Sequence, residues 1–501
     1  MKNQSKYTTY FWVISVLLAF AKIAFTLRPE IDLFTEEAQY WLWSQNMAWH
    51  YYSKPPMVAV LNFLSTGLLG KTEITVRLNA IILGVGMSWF TFLLGRQMYS
   101  DKVGFWAAML LQGMPLWWLA STFHMTDTAL TFFWTLSLYA AYRALESQKV
   151  NWWILAGLAT ACGIMSKVVM ILMPAMLLIY LLFTREFKRN FTHYSVFVLV
   201  SLIGFTPMLI WNWQNDFYTF RHLAALGRGG GDSQSFDLLK SLGRFGAYLG
   251  GQLAMLSPFI LPLVWGFFSR KRLLSDYKTI FLLLPMLMSF MAFGLLSFMT
   301  DIEVNWPVFA YSGFSIALAA WLVNQSGFWL KARNWGLGLS LGIPLFFLLP
   351  DITFLKSIKP IKSAEKAVFR RNSAYQPLAE RLDFLRDSLS AKEAFVFSET
   401  YHMASELSFY LQGHPQTYMV NMGSRKNQFD LWPGLEQFEG EKKKGIFVSW
   451  NYDSPGEFVE FGSLLYEEKF EISFKGLPHR VATIQIWEDL IDYKPFVPDS
   501  F

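Results

Sequence analysis

From residue 8 to residue 355 the chain alternates between long apolar runs and short polar connections. The runs lie near 8–27, 73–94, 103–120, 126–142, 152–165, 168–184, 194–213, 242–268, 279–299, 306–323 and 335–355. About 17–25 apolar residues make a helix that crosses a bilayer core. The pattern therefore predicts a polytopic α-helical membrane part of about eleven or more spans, with the 152–184 pair the shortest. Residues 28–72 are too polar to span. Their two pieces "EEAQYWLWSQNMAW" and "PPMVAVLNFLSTGLLG" are amphipathic or apolar and short, and predict helices lying along the membrane surface. Trp41, Trp43, Trp49, Tyr40, Tyr51 and Tyr52 suit the interface, where an apolar ring and a polar tip are both accommodated.

Beyond residue 356 the pattern changes. "AYQPLAERLDFLRDSL" and "HMASELSFYL" have helical spacing, whereas "AFVFSE", "TYMVNM", "GIFVSW" and "ATIQIWE" are strand-like. Alternating elements of this kind predict a C-terminal α/β domain. Two domains follow, 1–355 in the membrane and 356–501 outside it.

Composition supports the division. Of 501 residues, 53% are hydrophobic and 16% charged, against about 25% charged in a typical soluble domain. Residues 1–355 hold 25 Lys+Arg and 16 Asp+Glu, a balance of +9, and the remainder 18 against 21, a balance of −3. The basic residues sit in short loops between apolar runs, which is a topology signal and not a nucleic-acid footprint. With the N-terminus inside, the cytoplasmic loops carry most of the Lys and Arg and only Asp101, Glu146, Glu186 and Asp276. An odd number of spans then puts the C-terminal domain on the periplasmic side of a bacterial inner membrane. The basic start and long first apolar run, with no small-residue cleavage site, read as an uncleaved first helix. Cys162 is the single cysteine and lies in an apolar run, so no intrachain disulfide forms. "GRGGGDSQS" over 227–235 reads as a flexible external loop.

The chemistry concentrates in "TEEAQYWLWSQNMAWHYYSKPP", residues 35–56. Adjacent residues on a helix point about 100° apart, so Glu36 and Glu37 face different surroundings. The plain alternative is that both are first-turn carboxylates favoured by the helix dipole. Lys54 follows an aromatic turn, and Pro55 and Pro56 fix the backbone after it. A carboxylate base and a cation at a membrane surface match the transfer of a group from a lipid phosphate to a hydroxyl: the base takes the acceptor proton and the cation stabilises the departing phosphate.

The stretch through "KPPMVAVLNFLSTGLLGKTEITVRLNAIILG" resembles the first external loop of the bacterial GT-C membrane glycosyltransferases of the family 39/83 type, the protein O-mannosyltransferase and lipid A aminoarabinose transferase superfamily. That loop typically carries an Asp-Glu pair, a Tyr three residues after the Glu, and Lys-Pro-Pro. The resemblance continues through "TDTAL" (126–130), "GIMSKVVMILMP" (163–174), "LIWNWQNDFYTF" (209–220), "VNWPVFAY" (304–311), "MASELSFYL" and "GSRKNQFDLWPG". It implies a GT-C fold. It also implies that Glu36 stands at the catalytic Asp position and Glu37 at the Glu, that Tyr40 and Tyr51 line the cavity, and that Lys54 contacts the lipid phosphate. The chain departs from the pattern with Glu for Asp at 36, Gln39 where some relatives have Arg, and Ser53 where an acid is common.

Other polar residues join this set. Asp127 matches the "TD" of the family and, with His124 three residues earlier, can share a helical face in the cavity. Two such ligands are too few for a metal site, and no metal is expected. Lys167, between two apolar halves, reads as a donor-phosphate ligand or an external loop lysine. Arg77 reads as a third phosphate ligand or as an interfacial arginine. Asn212, Asp216 and Asn305 read as loop and helix-end fixtures, and Arg425, Asn427 and Asp430 as acceptor contacts.

The expected function is an inverting glycosyltransferase that takes a sugar from a polyprenyl-phosphate donor. Its acceptor is a hydroxyl on a glycolipid, lipid A, a glycan or a protein. The rival from another class is a transporter or flippase for a lipid-linked sugar, against which stand the external position of the ionisable cluster and the lack of internal repeats. A polymerase or ligase shares the chemistry but not the "EE…KPP" loop.

Overall fold

A computed structural model describes residues 6–227, 237–270, 276–348 and 357–496; the loop at 227–235 lies almost wholly outside them. The chain forms two compact units interleaved along the sequence. One holds the described residues of 1–25, 54–61 and 77–349, the other those of 26–53, 62–76 and 350–501.

The first unit is helical. Each of the eleven apolar runs falls on helix, the last as far as Leu348, with its tail outside the described residues. Several runs are broken, because proline lacks the backbone donor a continuous helix needs. The run over 103–120 divides into Asp101–Gln112 and Pro115–Ala120, and that over 242–268 into Leu238–Met255 and Leu261–Phe268, around Ser257-Pro258. The run over 306–323 opens as one 3-10 turn after Pro307, then continues as Tyr311–Leu322. Among the described residues four helical stretches are long and apolar enough to cross a membrane: Lys6–Thr26, Glu73–Met98, Phe187–Gln214 and Tyr277–Leu296.

Small residues let the helices approach. A Cβ at Gly104 would collide with the carbonyl oxygen of Phe92, and one at Gly313 with that of Leu282. The gain is close backbone packing where apolar burial gives little drive between helices. Phe92, Trp134, Trp153, Phe197, Phe281 and Phe309 fill the core between them.

The second unit is built on a five-stranded sheet in the order β2-β1-β3-β5-β4. Here β1 is Phe395–Ser398, β2 Thr417–Met419, β3 Gly445–Ser449, β4 Val459–Phe474 and β5 Leu477–Tyr493. β1 runs parallel to β2 and β3, and β5 antiparallel to β3 and β4. β1 and β3 are buried throughout, as a parallel centre requires. β4 and β5 extend as a long hairpin whose two-residue turn, Lys475-Gly476, has positive φ at both positions, the conformation that matches strand twist. Helices Tyr375–Ser388 and Tyr401–Tyr410 have the predicted positions.

The helix Thr35–Gln45 belongs to this second unit and packs into its core. Leu33, Ala38, Trp41 and Leu42 form one core with Ala404, Phe409, Met419 and Phe429. Trp41 meets Phe409 edge to face, ring centroids 4.9 Å apart. Trp43, Tyr51 and Tyr52 are also buried, and of the aromatic group only Trp49 is exposed. An apolar helix face is stabilised equally well by lipid or by another helix, so the pattern alone does not distinguish them. Helix Met57–Leu69 exposes Phe63, Leu64, Leu68 and Leu69.

A charge cluster ties the loop start to the hairpin turn. Glu365 is fully buried and accepts Arg28 Nη2 at 3.3 Å and Lys475 Nζ at 2.6 Å. Glu30 accepts the same two cations at 2.5 and 3.3 Å. Breaking such a set by removing one partner costs about 3–5 kcal/mol, because charge is left buried without compensation. Glu365→Ala is therefore expected to lower the melting temperature of the full-length protein by several degrees; an unchanged melt would show the cluster to be neutral.

The histidines of this unit set its acid response. Burial chiefly holds His50 at about 4 and His402 below the ordinary imidazole value. Such groups stay neutral in the fold but take up protons on unfolding below about pH 6.5, so unfolding is favoured as pH falls. Stability should drop between about pH 6.5 and 4, by up to about 1.4 kcal/mol per pH unit for each histidine. Hydrogen exchange at the β1 and β3 amides checks this, and protection that stays level from pH 7 to 5 would contradict it.

Candidate active site

In the second unit, Glu36 and Glu37 occupy the first turn of helix Thr35–Gln45. Glu37 is fully buried, and its Oε2 accepts the backbone N–H of Phe34 at 2.9 Å. It reaches back to satisfy a donor that the helix start leaves open. Glu36 points elsewhere and is half-buried. Its Oε2 accepts the Thr35 hydroxyl at 2.9 Å. The two carboxylates thus have separate environments, and the second is committed to the helix cap.

Glu36 lies within electrostatic reach of Tyr401 and His402, as do Arg371 and Arg425. The Tyr401 and His402 rings are 4.0 Å apart. Burial is the main cause lowering His402; Glu36 raises it, and Arg371 and Arg425 lower it further. His402 is therefore a neutral imidazole at neutral pH. Burial also pushes the Tyr401 hydroxyl up, and Arg425 opposes this.

The loop that carries Arg425 is pinned from both sides. Asp430 accepts Asn421 Nδ2 at 3.1 Å and the Asn427 N–H at 2.7 Å. Asn421 Oδ1 accepts the Ser424 N–H and hydroxyl. Next to it, Gln428 Oε1 accepts the Tyr52 N–H at 2.7 Å, joining this loop to the chain just before Lys54. Asn427 and Asp430 thus shape the loop and Arg425 projects from it, exposed.

Tyr40 is buried beside Trp43, with ring centroids 5.1 Å apart. Tyr51 stacks on Trp43 at 4.4 Å and donates its hydroxyl to the Trp43 carbonyl at 2.8 Å. It has no exposed surface and closes the end of the helix.

In the first unit, three separated motifs converge on Asp127. Its Oδ1 accepts Lys167 Nζ at 2.8 Å and its Oδ2 accepts Asn305 Nδ2 at 2.8 Å. The Lys167 ammonium also sits 5.8 Å from the Trp306 ring. Asn305, read as a fixture, is thus a partner of this pair. The Met57 N–H donates to the Met165 carbonyl at 2.9 Å, which fastens the Lys-Pro-Pro segment to the turn before Lys167. Lys54 is half-buried on that segment.

Arg77 is fully buried in protein, its guanidinium 5.8 Å from the Phe25 ring and 5.4 Å from the Phe123 ring. It does not snorkel to an interface. His124 is fully buried beside it in sequence to Phe123. Asn212 bonds the Met208 carbonyl and the Thr219 N–H, a helix-end fixture. Lys22, unremarked in the sequence, is buried and donates to Ser121 Oγ at 2.5 Å. Its only signal is a lysine inside the first apolar run. Tyr401, His402 and Arg371 carry no signal at all, since their proximity to Glu36 comes from the fold.

The architecture is that of the GT-C membrane glycosyltransferases. ArnT from Cupriavidus metallidurans, bound to undecaprenyl phosphate, superposes with a TM-score of 0.64 at 15% identity, over 95% of this chain and 98% of that one. Residues 53–211 match the family model of the dolichyl-phosphate-mannose-protein mannosyltransferases. That segment contains Lys54, Arg77, His124, Asp127 and Lys167, and begins after the two glutamates.

Among individual relatives, the lipid A galacturonosyltransferase RgtD of Rhizobium johnstonii is 27% identical over 314 residues, 62% of this chain and 64% of that protein. The undecaprenyl phosphate-alpha-4-amino-4-deoxy-L-arabinose arabinosyl transferase 2 of Proteus mirabilis is 24% identical over 177 residues, 34% of this chain and 32% of that protein. The chain thus matches less than two thirds of the length of these relatives. Sequence and fold agree on the class: the chain resembles GT-C glycosyltransferases and has their fold.

Proposed function

We propose that this chain is an inverting glycosyltransferase of the bacterial inner membrane. It moves a sugar from a polyprenyl-phosphate donor to a hydroxyl of a lipid A-type glycolipid, with the second unit at the periplasmic face. The observation that carries the reading is the division of labour between the paired glutamates. Glu37 is occupied by the helix cap, while Glu36 stands half-buried within electrostatic reach of Tyr401 and His402. Similarity to RgtD and to the Proteus mirabilis transferase supports the acceptor and donor classes.

In the proposed reaction the Glu36 carboxylate takes the proton of the acceptor hydroxyl as its oxygen attacks the anomeric carbon. The bond from that carbon to the donor phosphate oxygen breaks with its electron pair, and the sugar inverts in one displacement. Polyprenyl phosphate leaves with its new negative charge matched by Lys54, with Lys167 and the buried Arg77 contributing to the field. The Asp127 carboxylate and Asn305 hold Lys167 in position, leaving two of its three ammonium donors for other partners.

Purified protein incubated with an undecaprenyl-phosphate sugar and lipid A tests the reading. Sugar-bearing lipid A with the opposite anomeric configuration is the expected product. Movement of the donor across a vesicle membrane without turnover would replace the reading with transport.

A further inference from the structure

An open cleft of about 420 Å³ lies wholly within the second unit, its lining including Lys71, Glu73, Glu380, Phe409, Tyr410 and His414. That volume is in the range of small-ligand sites. Part of the lining is fixed in place. The Tyr410 hydroxyl donates to Glu73 Oε1 and accepts the Leu33 N–H at 2.6 Å. His414 bonds the Phe409 carbonyl through Nδ1 at 2.6 Å. The Trp41 ring lies 5.6 Å from the Lys71 ammonium and 5.5 Å from the His414 ring.

Two opposite charges of this lining are unmatched. Among the described residues Lys71 has no carboxylate within ion-pair distance, and Glu380 has no cation, only the Gln376 amide at 3.1 Å. Both side chains are exposed. They line one cleft without pairing with each other, so it holds a positive and a negative group apart. A ligand with both charges on a short linker matches that arrangement, whereas a plain anion or cation matches half of it.

The cleft also lies where the chain leaves its apolar helices. Thr26, in the lining, is the last residue of Lys6–Thr26, and Glu73 is the first of Glu73–Met98. Both helices are long and apolar enough to cross a membrane. Just before Lys71, Leu68 and Leu69 are 80% and 60% exposed, and Phe63 and Leu64 are exposed on the same helix. Exposed apolar surface of this extent marks an interaction site, and beside the end of a span its natural cover is an acyl chain.

We propose that the cleft binds the headgroup of a zwitterionic aminophospholipid, phosphatidylethanolamine, with its acyl chains on the exposed side chains of helix Met57–Leu69. The phosphate meets the Lys71 ammonium, a compact point charge. The lipid ammonium donates to the Glu380 carboxylate through N–H groups that a trimethylated choline lacks. This lipid is neither donor nor acceptor in the proposed transfer, and the site stands independently of that reading. Through Trp41, occupancy braces helix Thr35–Gln45.

The test uses full-length protein in nanodiscs with equal shares of phosphatidylethanolamine, phosphatidylcholine and phosphatidylglycerol. Lipids that stay bound on release are weighed by native mass spectrometry. Wild type is expected to retain phosphatidylethanolamine about tenfold over the other two, the effect of one charge-assisted hydrogen bond. The preference should shrink as salt rises. Glu380→Gln should level the three lipids. Lys71→Gln should lower retention of all three, and Lys71→Arg should keep it. In discs without phosphatidylethanolamine all these variants should melt like wild type, since the side chains are exposed; adding the lipid should raise the melting temperature of wild type and not of Glu380→Gln.

Equal retention of the three lipids by wild type would overturn the proposal, as would a preference that survives in Glu380→Gln. A preference for phosphatidylglycerol would make the cleft a plain anion site. Glycerophosphoethanolamine, the same headgroup without chains, should fail to displace the lipid; ready displacement would assign the cleft to a soluble compound and refute the membrane source.

Discussion

Glu36→Gln is expected to lower sugar transfer by about a hundredfold to ten thousandfold, the range general-base catalysis supplies, with undecaprenyl phosphate binding unchanged. The amide keeps the size and hydrogen-bonding reach of the side chain but cannot accept the acceptor proton. The fold should tolerate it. The helix cap is made by Glu37, and the buried face of helix Thr35–Gln45 is held by Ala38, Trp41 and Leu42. Glu37→Gln is the informative contrast. It weakens the bond to the Phe34 N–H and should lower stability more than the chemical step. Single-turnover transfer and thermal unfolding, measured on both variants, separate the roles. Equal losses of transfer from the two variants would contradict the assignment of Glu36 alone as the base.

The second large effect is expected at Asp127. The Asp127 side chain is 7% exposed and that of Lys167 17%. Asp127→Ala leaves the ammonium with Trp306 but without its carboxylate, and breaking a buried pair in this way costs about 3–5 kcal/mol. Several degrees of melting temperature should be lost. The double variant Asp127→Asn/Lys167→Met removes both charges and should recover most of that loss. It also isolates the proposed phosphate role of Lys167. A double variant that melts like wild type but binds undecaprenyl phosphate tenfold more weakly supports the role; unchanged donor affinity leaves the lysine with a structural one.

The parts of this account legible in the sequence are those with a strong local period. All eleven apolar runs are helical, and the helices and strands around Leu382, Phe397, Leu407 and Phe447 stand where their spacing puts them. Continuity was less legible. Pro115 and Pro258 divide runs that hydropathy alone joins. β4 was only partly legible: "KFEISF" alternates polar and apolar residues, and Phe470 and Ile472 pack on the core, but the first half of "VEFGSLLYEEKFEISF" is mostly exposed and has no clean alternation. Its pairing with β5 depends on the tight turn at Lys475-Gly476.

The aromatic loop shows the limit most clearly. Trp41 and Tyr51 have the composition of an interfacial belt, but Phe409 covers the first and Trp43 the second. Partners distant in sequence decide burial, and no local pattern names them. The same holds for the site. The ionisable residues of "TEEAQYW…SKPP" stand out in an apolar chain, whereas His402 and Arg371 become visible only once helix Tyr401–Tyr410 packs on helix Thr35–Gln45.

The central claim, sugar transfer onto an envelope glycolipid with Glu36 as the base, is tested most directly by mass spectrometry of envelope lipids. The samples come from cells lacking the gene and from the same cells carrying wild type or Glu36→Gln. The account predicts that a sugar-sized mass on a lipid A-type glycolipid disappears on deletion, returns with wild type and stays absent with the variant. Full return of that mass with Glu36→Gln would contradict it.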